Sequence, residues 1–333
     1  MVKAHRLSWL TLLVFVRSMA AEPMPEEDPR PGWTIASGSS ASTETTGISK
    51  LATRLVASVD LPFHLLLRGG AGVSWFRQGT TALERNITAV SLEFRAGPAR
   101  VDGGWALHQG VDTLMQEGEV GVLFSPSNSL DLAVSVRRRP FLDAAEPLAT
   151  DERQFHEAGA DGAFILDKVA RRGVDELRLS AQGSPVEWAY FYADAVGERV
   201  TDGNSASAWT ADFLFNPIGF LGAPPLPLDV YLQWESYLLG YAQPRLEYFS
   251  PALIAYESPG AEIHVRLRGI AQLGGEGGFT FSALDPSGLS GGWFAGFGAR
   301  FRVGIIQASI RGQLRRDPWY VTQKLWVAVE VAP

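Results

Sequence analysis

Cysteine is absent from the 333-residue chain. Disulfide bonds, thiolate metal sites and cysteine nucleophiles are therefore excluded. A small exported domain held together by disulfides is excluded for the same reason. The fold must depend on backbone pairing and on the packing of the remaining side chains.

Long apolar runs are also missing beyond the N-terminus, where no stretch approaches the roughly 20 apolar residues of a membrane-spanning helix. A basic excess is missing as well, because 29 Lys and Arg stand against 36 Asp and Glu, a net charge of −7. This balance argues against a nucleic-acid partner. The chain is instead rich in glycine (35) and in aromatic side chains (18 Phe, 10 Trp and 8 Tyr). Glycine suits tight turns and inward strand positions without a side chain, and aromatic residues are common at membrane interfaces.

The N-terminus has the pattern of a secretory signal. A basic stretch with Lys3 and Arg6 precedes an apolar core over residues 7–16, and Ser18-Met19-Ala20 follows as a small-x-small cleavage site. The pattern predicts a cleaved signal peptide over residues 1–21. An uncleaved anchor is the alternative, but the apolar core is short for that role.

Two segments of unusual composition follow the signal. Residues 22–31 are mostly proline and acidic residues, which predicts a disordered lead-in, because proline cannot donate to a sheet. Residues 37–46 are almost entirely Ser, Thr, Ala and Gly. They form either a flexible linker or a first strand with small side chains, and we favour the strand. Residues 32–333 are predicted to form one domain.

Most of the chain alternates between apolar and polar residues. Val90, Leu92 and Phe94 alternate with Ser91, Glu93 and Arg95, and residues 130–137, 230–238 and 293–303 repeat the pattern. Because successive side chains of a strand point to opposite faces, each run is a strand with one apolar and one polar side.

Such strands fit either a soluble periplasmic β protein or a membrane barrel, in which the apolar side faces lipid. The export signal, the lack of cysteine and the aromatic content favour the barrel. Runs of about 8–14 residues, separated by turn residues, predict an all-β antiparallel transmembrane barrel of about 14–16 strands. The expected location is the bacterial outer membrane, with lipid around the wall.

The polar side would line the lumen of such a barrel. It carries both charge signs, which indicates either a hydrated channel that guides a polar solute or charges that merely pair with each other. Mixed signs suit a neutral or weakly charged cargo. The candidate lumen- or cargo-lining residues are Glu93, Arg95, Asp131, Arg137, Tyr231, Glu235, His264, Arg266 and Arg268.

Signals of catalysis are weak. The histidines lack metal-ligand spacing, and the chain has no Gly-x-Ser-x-Gly motif. His264 could pair with a serine, as a lipid hydrolase would require. We favour a solvated lumen histidine instead, and expect no enzyme activity, no metal and no cofactor.

Several segments, taken in order, resemble a known family. Residues 135–143 read Ser-Val-Arg-Arg-Arg-Pro-Phe-Leu-Asp and contain Arg138, Arg139 and Pro140. The other segments are Gly47-Ile48-Ser49-Lys50-Leu51, Asp60-Leu61-Pro62-Phe63 and Tyr248-Phe249-Ser250-Pro251. Together they resemble the C-terminal outer-membrane barrel domain of the cellulose synthase operon protein C family, which exports bacterial cellulose.

The resemblance implies a passive outer-membrane conduit for an exopolysaccharide, a cellulose-like glucan. Members of that family carry tetratricopeptide repeats before the barrel, and this sequence shows none. Coupling to an inner-membrane glycan synthase would then require a separate periplasmic repeat scaffold.

Three other functions stay open at the level of sequence. The barrel could be a general diffusion porin or solute channel, or a lipid-modifying enzyme of the outer membrane. It could also be a filled, structural barrel without an open pore.

Overall fold

A computed structural model describes residues 32–44, 48–111, 113–140, 171–221, 227–243, 253–267, 270–284, 288–317 and 320–331. The predicted signal peptide and lead-in therefore lie outside the described residues, as do Arg268 and the Tyr248-Phe249-Ser250-Pro251 segment. No helix among the described residues is long and apolar enough to cross a membrane.

The described chain is a closed antiparallel β-barrel of 16 strands, the upper end of the predicted range. Each strand pairs with the next along the chain, and β1 pairs with β16 to close the barrel, for example through Ser39 and Val327. The strands are β1 Trp33–Glu44, β2 Ile48–Leu61, β3 Leu65–Gln78, β4 Thr81–Ala96, β5 Ala99–Gly110, β6 Leu114–Ser127, β7 Leu130–Pro140, β8 Gly173–Val186, β9 Ala189–Val200, β10 Ser205–Phe215, β11 Leu228–Tyr241, β12 Ile254–Leu267, β13 Ala271–Leu284, β14 Gly288–Val303, β15 Ile306–Asp317 and β16 Tyr320–Val331.

The segment of small residues is a strand, as favoured from the sequence. β1 covers Trp33–Glu44, with Ser37 and Ser39 outward beside Leu55 and Thr53 of β2. Because its neighbours on both sides supply apolar outward residues, a strand of small side chains can still belong to a lipid-facing wall.

The two ends of the barrel differ. With an even number of strands, β1 begins and β16 ends at the same end, which we call the terminus end. The connections there are mostly short, whereas the opposite end, the loop end, carries the longest connection, residues 141–172. Short periplasmic turns and longer extracellular loops are typical of outer-membrane barrels, so the terminus end is periplasmic.

The apolar sides of the strands point outward. Leu55, Val136 and Phe297 are each more than half exposed, which is the reverse of a soluble core. This outward apolar surface is the surface that a barrel presents to lipid. The protein is accordingly an outer-membrane β-barrel.

The hairpin turns that follow β6 and β8 lie at residues 128–129 and 187–188, later in the chain than the sequence indicates. The sequence predicts turns at Ser125-Pro126-Ser127-Asn128 and Gln182-Gly183-Ser184-Pro185, but β6 and β8 continue through most of these residues, with register shifts between Phe124 and Ser127 and between Gly183 and Val186. A bulge tolerates a proline that cannot donate a ladder hydrogen bond, so the strands extend to the barrel rim.

One short helix, α1 (Pro217–Phe220), lies in the connection between β10 and β11 at the terminus end. The Asn216 side chain caps it by accepting a hydrogen bond from the Gly219 N–H at 2.9 Å. The ring of Phe220 from this helix packs with those of Trp188 and Phe215, with ring centroids 5.2–5.7 Å apart.

Candidate functional site

The predicted lumen residues that the structure describes all lie on the inward faces of their strands. Residues paired directly across neighbouring strands point to the same side of the wall, so the registers carry the inward side from strand to strand. Glu93 is paired in this way with Asp102, and Glu235 with Asp212. The inward residues of the predicted set are Glu93, Arg95, Asp131, Arg137, Tyr231, Glu235, His264 and Arg266. Arg268 lies outside the described residues.

Exposure of the inward side chains differs between the two halves of the lumen. Towards the loop end, Arg85 is 0% and Tyr237 and Tyr256 are each 1% exposed. Towards the terminus end, the side chains of Arg68 and Arg95 are 36% and 56% exposed. Solvent-accessible inward surface is therefore greatest in the periplasmic part of the lumen.

A cavity of about 560 Å³ lies along the inner wall from β2 to β9. Its floor consists of small residues, so the backbone forms a smooth surface there. The floor residues are Gly70, Ala89, Ser91, Gly104, Ala106, Ala133 and Ser180. Charged and polar side chains surround this floor, namely Arg54, Arg68, Arg100, Glu117, Glu119, Asp131, Arg137, Arg178, Gln182 and Tyr192. We call this floor and its surround the lumen trough.

Glu93 holds three arginines at the terminus end of the trough. Its carboxylate accepts hydrogen bonds from Arg68 Nη2 at 2.7 Å and Arg95 Nε at 2.6 Å, and Arg100 Nε lies 4.0 Å away. Glu93 itself is 2% exposed, beneath the more exposed guanidinium groups. The surface available to a cargo here is therefore the arginine edges and not the carboxylate.

Glu117 forms the second charged centre, joining three strands. His108 Nε2 lies 2.9 Å from Oε2, and Arg137 donates to Oε1 from Nη2 at 2.6 Å and from Nε at 2.9 Å. Glu119, two residues along β6, has Arg137 Nε only at 3.9 Å. Its side chain is 40% exposed, so it remains available to a solute.

Asp131 belongs to a hydrogen-bonded chain of polar groups. It accepts from Ser125 Oγ at 2.7 Å and from Gln182 Nε2 at 2.9 Å, and the Tyr190 hydroxyl donates to Gln182 Oε1 at 3.1 Å. These contacts fix Gln182 and place amide and phenol groups beside the trough. Such groups can donate to and accept from sugar hydroxyls.

Arg54 is a cation of the trough that makes no hydrogen bond or ion pair with any described residue. Its Nε is buried without a hydrogen-bond partner. The stem lies along the wall at Gly72, where a Cβ would be 2.8 Å from Arg54 Cγ. Glycine at position 72 therefore leaves the space that the stem occupies, and the guanidinium reaches the trough.

His264 is not the solvated lumen histidine predicted from the sequence. It is 2% exposed, with Nε2 at 3.0 Å from Glu262 and Nδ1 at 3.2 Å from Gln272 Nε2. Tyr231 packs edge-on against its ring, 5.8 Å between centroids. Because Glu262 and Gln272 contact the two ring nitrogens, His264 does not form the pair with a serine that a hydrolase would require.

Arg266 belongs to the same wall and is held by Asp229, which accepts from its Nε at 2.9 Å and from its Nη2. Of the predicted set, only Asp131 and Arg137 line the lumen trough. Asp131 comes from β7, as do the motif residues Arg138, Arg139 and Pro140. Arg139 is buried between Glu176 and Glu198, whereas Arg138 points outward.

The predicted set of lumen residues omits Arg54, Arg68, Glu117 and Glu119. The alternation with Leu55 places Arg54 on the polar side of its strand, but no sequence signal singles it out among the polar residues there. Glu117 and Glu119 alternate with Gln116, Gly118 and Val120. Because two of these outward positions are not apolar, the alternation that marks a strand is weak there.

Comparison with known proteins gives the fold but no family. No family model matches the sequence, and no curated protein is significantly similar to it. The structure is similar to a bacterial polysaccharide outer membrane secretin, with a TM-score of 0.72 and 12% identity over 92% of this chain and 99% of that chain. CdiB from Acinetobacter baumannii gives a TM-score of 0.55 at 9% identity, over 90% of this chain and 60% of that one. OprD from Pseudomonas aeruginosa gives a TM-score of 0.46 at 8% identity, covering 90% and 95% of the two chains.

At these identities the likeness concerns the fold alone. The barrel, its outward apolar wall and its polar inner face place the chain among outer-membrane β-barrels.

Proposed function

We propose that the barrel is a passive outer-membrane channel for the export of an exopolysaccharide, a cellulose-like glucan. The lumen trough is the observation that carries this proposal. No bond is made or broken in the barrel. An inner-membrane glycan synthase pushes the polymer, and a separate periplasmic repeat scaffold delivers it to the terminus end.

The trough suits a neutral polymer of sugar rings. Gly70, Ala89 and Gly104 keep its floor flat, so a ring can lie against the backbone without entering a pocket. Arg54 and Glu119 offer one donor group and one acceptor group that the wall does not saturate. Sugar hydroxyls both donate and accept, so these contacts form easily.

Weak contacts favour passage, since conduction needs binding that is easily reversed. The other charges around the trough are tied to wall partners, such as Arg137 to Glu117 and Arg68 to Glu93. Each therefore offers a sugar only part of its hydrogen-bonding capacity. The similarity to a protein described as a polysaccharide secretin is consistent with this function, at the level of fold.

The test is block of single-channel current in planar bilayers. Cellohexaose added on the terminus side is expected to interrupt the current, whereas glucose is not. Gly104→Trp places an indole on the trough floor and should reduce both the ion conductance and the oligosaccharide block.

Gly103→Trp is the matched control, because Gly103 is the neighbouring residue on the lipid-facing side. It should conduct and be blocked like the wild type. A general diffusion porin is favoured instead if glucose and cellohexaose affect the current equally. Current indistinguishable from bare lipid would contradict both.

A further inference from the structure

The outer wall carries its charged residues at one end only. Within the described strands, the outward charged residues all lie in the loop-end half, while the outward residues of the terminus half carry no charge and are mostly apolar. These residues are Arg77, Glu84, Arg138, Asp175, Arg199, Glu257 and Arg316. The charges therefore lie at the extracellular side, where the head groups of the outer leaflet lie.

Three of these residues form one continuous row across neighbouring strands. Arg138 of β7 is directly opposite Asp175 of β8, which is directly opposite Arg199 of β9. Each lies within two residues of the loop end of its strand. Two strand spacings separate the arginines, about 10 Å.

The row has more positive than negative charge, and its charges are accessible. Arg138 Nε lies 3.8 Å from Asp175, and the two side chains are 66% and 55% exposed. Arg199 is exposed as well. One carboxylate between two guanidinium groups leaves donors free for an external anion, and arginine is well suited to bidentate phosphate recognition.

Apolar wall lies directly towards the membrane centre from this row. Val120, Val136 and Leu177 are 61%, 59% and 49% exposed. A Cβ added at Gly118 or at Gly197 would meet no heavy atom within 4 Å, so the outer surface has open space at both glycines. Cationic groups above exposed apolar surface match a lipid with an anionic head group and several acyl chains.

We propose that Arg138 and Arg199 bind a phosphorylated glycolipid of the outer leaflet, with the phosphates on the two guanidinium groups and the acyl chains on the apolar wall below. A head group with phosphates at both ends of a disaccharide is comparable in length to the spacing of the arginines. Asp175 orients Arg138 and weakens the attraction. This inference depends on the outer-membrane location and on the orientation of the barrel, and not on the cargo.

The test uses the full barrel in detergent and native mass spectrometry with bisphosphorylated lipid A as the probe. The wild type should retain this lipid better than lipid A from which both phosphates have been removed. Arg138→Gln with Arg199→Gln should lower the apparent affinity about tenfold, the loss expected when charge-assisted hydrogen bonds to a phosphate disappear. Asp175→Asn should raise it.

Arg77→Gln with Arg316→Gln is the control, because it removes two outward arginines that are not part of the row. It should leave the affinity nearly unchanged. An equal loss in the control, or no preference for the phosphorylated lipid, would overturn the proposal. Arg138→Lys with Arg199→Lys should retain part of the binding. The folding of each variant is checked on detergent gels, where an unheated, folded barrel migrates faster than the heated chain.

Discussion

At the scale of single residues, the lumen wall is organised by carboxylates shared among cations. Glu117 is the clearest case, because one side chain meets His108 and Arg137 from the strands on either side. Glu93 likewise accepts hydrogen bonds from two arginines, Arg68 of the neighbouring β3 and Arg95 of its own strand. Most inward charges are therefore structural, and the residues free to meet a solute are fewer than the polar face of the sequence indicates.

Glu117→Gln is expected to destabilise the barrel by about 2 kcal/mol, because Arg137 and His108 lose the carboxylate that compensates them. Glu119→Gln is the matched control on the same face of β6, since its Arg137 contact is 3.9 Å. It should change the free energy of unfolding by less than about 0.5 kcal/mol. The measurement is urea unfolding of the barrel in lipid vesicles, followed by tryptophan fluorescence. Equal effects of the two substitutions would show that Glu117 does not organise the wall.

At the scale of elements, the hairpins decide how far each strand extends. Pro126 and Pro185 indicated turns, but each lies in a bulge near the end of its strand. Near the second bulge, Gly183 faces the neighbouring strand so closely that a Cβ would be 2.2 Å from the Ser129 carbonyl oxygen. Backbone packing, and not the local turn signal, sets the strand end there.

Gly183→Ala should therefore destabilise the β7–β8–β9 region by about 2 kcal/mol, because backbone must move to accept the methyl group. Gly197→Ala, in β9 at a position with nothing within 4 Å, should be nearly neutral. Refolding yield and urea midpoint in vesicles measure the difference. A normal midpoint for Gly183→Ala would mean that the bulge relaxes without cost.

At the scale of the whole molecule, closure turns local alternation into an outside and an inside. The 16 strands place both ends of the strand series at the terminus end and the longest connection at the other. The orientation in the membrane follows from that asymmetry.

The absence of cysteine provides a direct test of this orientation. Thr80→Cys lies in the β3–β4 connection at the loop end, and Asn128→Cys lies in the β6–β7 connection at the terminus end. A membrane-impermeant maleimide should label Thr80→Cys in intact cells and Asn128→Cys only after the outer membrane is opened. The reverse pattern would invert the barrel and remove the basis for the lipid proposal.

The sequence by itself determined that the chain forms two-faced antiparallel strands, because the period of two and the turn residues are local properties. It also identified which residues point to the lumen, such as Glu93, Asp131 and Arg137. The signal peptide and the role of the Tyr248-Phe249-Ser250-Pro251 segment stay predictions. Tertiary structure alone decided the closure of β1 on β16, the burial of His264, the trough and the Arg138–Asp175–Arg199 row. These depend on the register between strands, which fixes what lies beside each residue and which no single strand encodes.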